Sequence, residues 1–340
     1  MNVRIVSYTV RGEATARRVS EILRGSGHGC RRFALEKFCR DGDEPLSGSA
    51  VEWARDGFLA ADALIFVCAS GIAVRAIAPW VKDKTTDPAV LVLDETARFV
   101  IPLLSGHAGG ANALAEALAD ALSATAVVTT ATDVNGRFAV DVFAKNNCLV
   151  LTDGALAKTV SAAILNGEPV GFRSELPVSG PLPEGLSDDA ALGVYVGTGA
   201  SPFSRTLRLI PRRFALGVGC RRGKDADALR SFVERTLARH GVLKEELRCV
   251  ASIDLKKDEP GLLALSDALG VPFLTYSAEE LSAVPGEFIA SAFVRETTGV
   301  DSVAERAAVK ASGGTLVVRK TAEDGMTFAL ASYEEELRFA

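Results

Sequence analysis

Two runs that are apolar at nearly every position, each feeding a glycine-bearing turn and then a segment with helical spacing, constrain this chain more than any other feature. Residues 63–68 (ALIFVC) lead through Ala69, Ser70 and Gly71 into the helical pattern of 71–80 (GIAVRAIAPW), which Pro79 ends. Phe99–Leu104 (FVIPLL) leads through Ser105 and Gly106 into Ala111, Leu114, Ala115, Leu118 and Leu122 at helical spacing. A continuous apolar run suits a strand buried on both faces, and strand, turn and helix in succession imply a mostly parallel sheet covered by helices. The chain opens the same way, with a strand at 3–10 and a helix at 13–23 that turns Ala16, Val19, Ile22 and Leu23 inward. Only Gly12 follows that strand, so no GxGxxG dinucleotide fingerprint is present. A helix at 51–60 and strands at 88–94 and 126–129 complete this part, while 31–38 has no clear period.

A second α/β pattern starts at Phe214, with strand FALGVG, the turn CRRG at 220–223, and a helix that places Leu229, Phe232, Val233 and Leu237 on one face. Strands are predicted at 248–255, 272–275, 291–294, 315–318 and 327–331, with a helix at 302–311. Between the two patterns lie a short strand, a helix at 155–165 and the Pro- and Gly-rich stretch 177–202. The expected fold is therefore two separate α/β domains with mostly parallel sheets, at 1–130 and 214–340, joined by a small middle domain or connector at 131–213.

Charge and rare residues narrow the function. Against 43 Asp and Glu stand 38 Lys and Arg, a net charge of -5, which argues against general affinity for nucleic acid or membrane surfaces. The six cysteines (Cys30, Cys39, Cys68, Cys148, Cys220, Cys249) are scattered without paired short spacing, and read as reduced thiols of a cytoplasmic protein. Histidine occurs only at 28, 107 and 240, without HExxH, so no protein-held metal is expected. Because 2–10 already reads as a strand, and no apolar run has the length of a membrane span, neither a signal peptide nor a membrane segment is expected.

The turn at 105–112 (SGHAGGAN) is the expected seat of the chemistry. If it lies at the carboxyl end of a parallel strand, it lies where ligands bind in such sheets. Gly106, Gly109 and Gly110 remove side-chain bulk where unpaired N–H groups of the new helix can face an anion. His107 is the side chain there that titrates near neutrality; its plain alternative is a helix-start residue bonded to backbone. Arg75 is either a solvated helix residue or a carboxylate clamp, and Lys82 and Lys84 occupy the loop that follows it. In VTTATD (128–133), the hydroxyls of Thr129 and Thr130 and the carboxylate of Asp133 can orient a ligand, although Asp133 equally suits the cap of a helix over 137–145. Lys256 and Glu259 stand in the loop KKDEPGL at 256–262, where lysines are commonly just solvated. This mixture suits an acidic small molecule better than a protein partner.

Several stretches carry a resemblance. GIAVRAIAPWVKDKTTDPAVLVLDE (71–95), LLSGHAGGANALA (103–115) and VTTATD resemble the amino-terminal and middle parts of the cobalamin-biosynthesis CbiG family, the cobalt-precorrin-5A hydrolases. LGVGCRRG (216–223), SIDLKKDEPGL (252–262), SAFVRETTGVDSVAERAA (291–308) and KTAEDGMTFALA (320–331) resemble the domain this family shares with the CobE proteins. The match is in order and nearly end to end, with one departure: Arg306 stands where a proline often follows the glutamate of the VAE motif.

The resemblance implies hydrolysis of a ring-contracted cobalt corrinoid, with its lactone opened by water and acetaldehyde released. Such a reaction needs an activated water, a stabilised oxyanion and removal of a hydroxyl proton. Ser105, His107 and Asp133 are the catalytic candidates, His107 as general base or alternatively as an axial ligand to the substrate's cobalt. Amides near Gly109 and Gly110 are candidates for the oxyanion; Gly106, Asn112, Thr129 and Thr130 would contact substrate. Arg75, Lys82 and Lys84 would pair its carboxylates, the turn with Cys220, Arg221 and Lys224 together with Lys256 would do likewise from the other domain, and Glu259 would also contact substrate there. No cofactor is implied, because the cobalt arrives with the substrate. Beyond that substrate, the implied partners are neighbouring corrin-pathway enzymes. Two other functions stay open: a corrinoid-binding or delivery protein without chemistry, and a nucleotide-using α/β enzyme, which the missing Walker A and dinucleotide signatures disfavour.

Overall fold

The computed structural model describes every residue except Lys84, Thr85, Ala108 and Ala340, and the side chains of Thr132, Asp133 and Phe293. The expected roles of Lys84 and of the Asp133 carboxylate thus lie outside the described residues. The chain forms two compact units, Met1–Val142 and Phe143–Ala340.

In the first unit the elements run β1 (Asn2–Ser7), α1 (Val10–Gly25), β2 (Gly29–Ala34), β3 (Asp43–Pro45), α2 (Ala50–Ala60), β4 (Ala63–Val67), α3 (Ser70–Ile77), β5 (Ala89–Leu93), β6 (Phe99–Leu104), α4 (Ala111–Leu122), β7 (Thr125–Ala126), α5 (Ala131–Val134) and α6 (Val140–Asn146), with the division between units falling inside α6. They build a seven-stranded sheet of order β3-β2-β1-β4-β5-β6-β7. Every residue of β4 and β5 is buried, as their unbroken apolar runs require. One face packs Val3, Ile5 and Ile65 against Val19 of α1 and Leu118 of α4; the other packs Leu64 and Phe66 against Trp53 of α2 and Ala73 of α3. On that second face Trp53 meets Phe33 and Phe66 edge-on, at ring-centroid distances of 5.7 and 5.1 Å. Helix α3 ends at Ile77: Ala78 keeps helical backbone and its N–H still reaches the Val74 carbonyl, but Pro79 has no N–H with which to continue the ladder.

The strand before the SGHAGGAN turn departs from expectation. β6 pairs antiparallel with β5, Leu104 standing beside Val90 and Val100 beside Leu93, and the short β7 runs parallel to β6. The reason is the connection: only 94–98 separates β5 from β6, enough for a hairpin and far too short for a parallel crossover. Asp94 closes that turn by accepting the Thr96, Arg98 and Phe99 backbone N–H groups. The turn at 105–110 therefore lies at the end of the sheet where β5 begins, opposite the carboxyl ends of β1, β4 and β5.

The second unit holds β8 (Leu149–Leu151), α7 (Gly154–Leu165), β9 (Val170–Ser174), β10 (Val178–Ser179), β11 (Leu186–Ser187), β12 (Leu192–Val196), β13 (Arg205–Pro211), β14 (Phe214–Cys220), α8 (Ala226–Arg239), β15 (Leu247–Ile253), α9 (Pro260–Leu269), β16 (Phe273–Tyr276), α10 (Ala278–Ser282), α11 (Ala292–Thr298), α12 (Val303–Ser312), β17 (Thr315–Glu323), β18 (Met326–Ser332) and β19 (Leu337–Arg338). The region after α6 is more than a connector: β11-β9-β12-β13-β8 is a five-stranded sheet, parallel except at β8, with Val170, Val194, Leu207 and Leu209 buried in it. A second five-stranded sheet, β16-β15-β14-β18-β17, mixes parallel pairs at β14 to β16 with an antiparallel pair at each side of β18. Leu229, Phe232, Val233 and Leu237 of α8 pack on it as their spacing predicts. Residues 291–294, expected as a strand, instead open helix α11: Ser291 caps it by accepting the Val294 N–H, and Gly299 at φ 77° closes it. Among the described residues no helix is long and apolar enough to cross a membrane.

Candidate active site

The turn after β6 is held by its own backbone. Ser105 takes φ +57°, and the N–H groups of Gly110, Ala111 and Asn112 donate to the carbonyls of His107, Ser105 and Gly106 at 3.0, 3.2 and 3.0 Å. Gly110, at φ +85°, then caps α4 from the left-handed region. A Cβ at Gly109 would overlap the Ser105 side chain and carbonyl, so this position has room only for hydrogen. Because the Gly110 amide is engaged, the expected pair of oxyanion donors reduces to Gly109 N–H.

Ser105 is expected as catalytic, yet its buried hydroxyl donates to the Asp87 carbonyl at 2.9 Å and ties the turn to the loop before β5. Asp87, also buried, accepts the Lys82 backbone N–H at 2.8 Å, which leaves the exposed Lys82 side chain on that same loop. From the other side, buried Asn112 donates its Nδ2 to Thr130 Oγ1 at 2.9 Å, drawing in the segment that carries exposed Thr129. Three segments that sequence reasoning proposes separately, 81–87, 105–112 and 128–133, thus meet at one end of the sheet. Arg75 does not join them. Exposed on α3, it folds back to donate to the Gly71 carbonyl at 3.1 Å, toward the sheet end from which α3 departs.

His107 finds a partner that the sequence reading misses. Its Nδ1 lies 3.3 Å from Asp141 Oδ2, with the two side chains only 15% and 31% exposed. Burial by itself would raise the Asp141 carboxyl, but the hydrogen bond and charge of His107, joined by the Val142 backbone N–H at 3.1 Å, hold it below the ordinary carboxylate value. An imidazole steadied through Nδ1 by an ionised carboxylate presents Nε2 as a proton acceptor. The signal available in the sequence is a lone acid inside the apolar stretch FAVDVFA at 138–144, which the sequence places within one helix over 137–145. In fact the chain breaks there: α5 ends at Val134, and α6 begins only at Val140, which puts Asp141 in its first turn.

At the opposite end of the sheet, between the carboxyl ends of β1 and β4 where the strand order switches, lies a cavity of about 260 Å³ lined by Tyr8, Thr9, Cys68, Ile72, Asp94 and Glu95. Its ionisable groups do not suit an anion: Asp94 holds the hairpin, Glu95 accepts the Thr9 hydroxyl at 2.7 Å, and burial pushes the Cys68 thiol up to about 11.

The predicted residues of the second unit form their own cluster, around a cavity of about 770 Å³ at the carboxyl ends of β14 and β15. Cys220, Arg221 and Lys256 line it, and burial raises the Cys220 thiol. Lys224 donates to Asp324 at 2.6 Å and Lys256 to Glu259 at 2.9 Å. Burial would raise buried Glu259, but Lys256 and the Gly223 N–H, at 2.7 Å, hold it low. These pairs give Lys224 and Glu259 structural tasks in shaping the turn. Among the described residues of the chain, no three His, Cys, Asp or Glu side chains converge as a metal site would need.

Three family models match the chain in order: Cobalamin synthesis G N-terminal over 52–133, Cobalamin biosynthesis central region over 138–211, and Cobalamin synthesis G C-terminus over 214–331. A cobalt-precorrin-5A hydrolase of Salmonella typhimurium is 39% identical over 317 residues, spanning 88% of this chain and 90% of that one. A second protein of that name, from Priestia megaterium, is 32% identical over 97% of this chain and 95% of its own. Protein CobE of a Sinorhizobium species is 38% identical over 119 residues, 34% of this chain and 77% of that protein. With similarity at this level running through almost the whole sequence and through all three regions in turn, the chain belongs to the CbiG family of cobalamin-synthesis proteins.

Proposed function

We propose that this protein is a cobalt-precorrin-5A hydrolase, which opens the lactone of a ring-contracted cobalt corrinoid and releases acetaldehyde by breaking a carbon–carbon bond. The similarity to two proteins of that name over nearly their full lengths supports the substrate. The single observation that carries the chemistry is the His107–Asp141 pair at the SGHAGGAN turn.

In this reading His107 Nε2 takes a proton from water as the oxygen adds to the lactone carbonyl, while Asp141 stabilises the imidazolium that results. Gly109 N–H faces the tetrahedral oxyanion. Collapse breaks the acyl–oxygen bond and leaves a ring carboxylate and a hydroxyl on the carbon to be lost. His107, neutral again, removes that hydroxyl proton. The oxygen lone pair forms the carbonyl of acetaldehyde, and the electrons of the carbon–carbon bond pass into the conjugated macrocycle. Lys82 offers a positive charge to a peripheral carboxylate, and Ser105, Asn112 and Thr130 hold the turn in shape. The protein supplies no cofactor of its own; cobalt enters as part of the substrate.

The test is anaerobic incubation of the purified protein with cobalt-precorrin-5A, with acetaldehyde trapped and quantified. Stoichiometric acetaldehyde supports the proposal. The large cavity of the second unit favours one alternative, a corrinoid carrier without chemistry. Tight binding with no acetaldehyde would establish that alternative in its place.

A further inference from the structure

The cavity at the carboxyl ends of β14 and β15 has a charge pattern that its ion pairs make asymmetric. Four cations line it (Arg221, Arg222, Lys256 and Lys320), against two carboxylates, Glu323 and Asp324. Both carboxylates are already paired with cations that do not line the cavity, Glu323 with Arg235 and Asp324 with Lys224, each at 2.6 Å. Lys256 is paired as well, with Glu259. Arg221, Arg222 and Lys320 remain, and among the described residues none of them has a carboxylate at ion-pair distance. The walls between these cations are apolar, from Ile253, Leu255, Val294, Val303 and Met326.

Lys320 is placed by construction rather than by chance. It sits at a register break of β17 between Val318 and Thr321, the kind of irregularity that re-aims a side chain. Its backbone N–H donates at 3.0 Å to Glu305, a fully buried carboxylate of α12. The other oxygen of Glu305 accepts the Ile289 N–H at 2.6 Å and the Ser302 hydroxyl at 3.0 Å. One buried acid thus fixes the strand that carries Lys320, the start of α12 and the loop before α11. Val303 and Ser291 of those segments are themselves lining residues.

We infer that this cavity seats a carboxylate-bearing edge of the corrinoid, with Arg221, Arg222 and Lys320 pairing the carboxylates and the apolar wall taking the ring. A volume of about 770 Å³ is in the upper part of the range of ligand pockets, and it exceeds what a small metabolite would fill. The ligand class rests on the hydrolase reading above; the location and the three cations rest on the cavity itself.

The experiment titrates the full-length protein with a cobalt corrinoid bearing free peripheral carboxylates, and in parallel with its methyl-ester counterpart, following the visible absorption of the corrin. Wild-type protein should bind the acid, more weakly as salt rises, and bind the ester at least tenfold more weakly. Arg221→Ala and Lys320→Ala should each weaken acid binding by roughly tenfold. Ala322→Trp, which enters the cavity from an exposed position, should weaken it too. Acid binding unchanged in all three cavity variants, or ester and acid binding equally to the wild type, overturns the inference; the second comparison needs no variant to fold. Cavity variants that lose binding, in a protein whose wild type releases no acetaldehyde, uphold this site and remove the hydrolase reading. Acetaldehyde release with unaltered turnover and binding in the cavity variants does the reverse.

Discussion

In the proposed mechanism the Asp141 carboxylate, 3.3 Å from Nδ1, holds the His107 ring with its proton on Nδ1, and Nε2 acts as the general base. Asp141→Asn would keep the shape and remove the charge, and should lower turnover by about 10²–10⁴-fold with little change in substrate affinity. His107→Ala should cost about as much, and the double variant hardly more, because the two act as one unit. Near-additive losses, or a single variant with normal turnover, would remove the pair from the mechanism. The same carboxylate gives a stability signature. Its folded pKa is depressed, so the unfolded chain binds the proton more readily; the contribution is complete above the ordinary carboxylate value of about 4 and is lost as pH falls through the lower folded value. Acid titration of unfolding should therefore show a shallower slope below about pH 5 in Asp141→Asn than in the wild type, the variant having no such proton to take up.

Among the elements, α12 depends on a single missing side chain. Gly217, mid-strand in β14, lies against the Ala304 carbonyl so closely that a Cβ there would overlap it. Gly217→Ala should push α12 off the sheet and destabilise the protein by about 1–3 kcal/mol, the usual cost of overpacking, as read from a thermal or denaturant melt. Gly223→Ala, where no atom lies within 4 Å of the added Cβ but φ is +70°, tests backbone strain alone and should cost less. Neither effect is visible in the sequence, where one is simply a glycine within the FALGVG run and the other a glycine of the CRRG turn. Local patterns were legible where the environment is local: the continuous runs of β4 and β5, the α8 stripe and the Pro79 stop each state their own burial. What escaped was decided between elements. The run FVIPLL has the composition of a buried strand in either direction, and only the brevity of 94–98 turns it antiparallel. SAFV at 291–294 is read as a strand by its apolar residues, and as the start of a helix only once the Ser291 cap and the Gly299 stop are counted. The site followed the same division. The SGHAGGAN turn and the TTATD segment were legible as candidates, whereas Asp141 reaches His107 from 34 residues away, by a fold that the sequence pattern does not specify.

Over the whole molecule, the distribution of donors bears on whether a protein-held metal takes part. Histidine occurs three times, and each has an assigned position. His28 Nδ1 lies 3.3 Å from the amino terminus, His107 faces Asp141, and His240 is the C-cap of α8. The cysteines are all free thiols, none neighbouring another in the sequence, and Cys30 and Cys249 are buried. Burial raises Cys68, Cys220 and Cys249 alike, and a thiol must ionise to ligate a metal. The proposed reaction asks for a proton acceptor that activates water and later takes the hydroxyl proton, the part given to His107 with Asp141, and for an oxyanion donor, the part given to Gly109 N–H, while the macrocycle itself accepts the electrons of the broken bond. Turnover of cobalt-precorrin-5A should accordingly persist in buffer containing a strong chelator, with the same acetaldehyde yield and rate as without it. Activity that vanished on chelation and returned with zinc or magnesium would show that the protein recruits an ion, and His107 with Asp141 would then have to be reconsidered as its ligands rather than as base and partner.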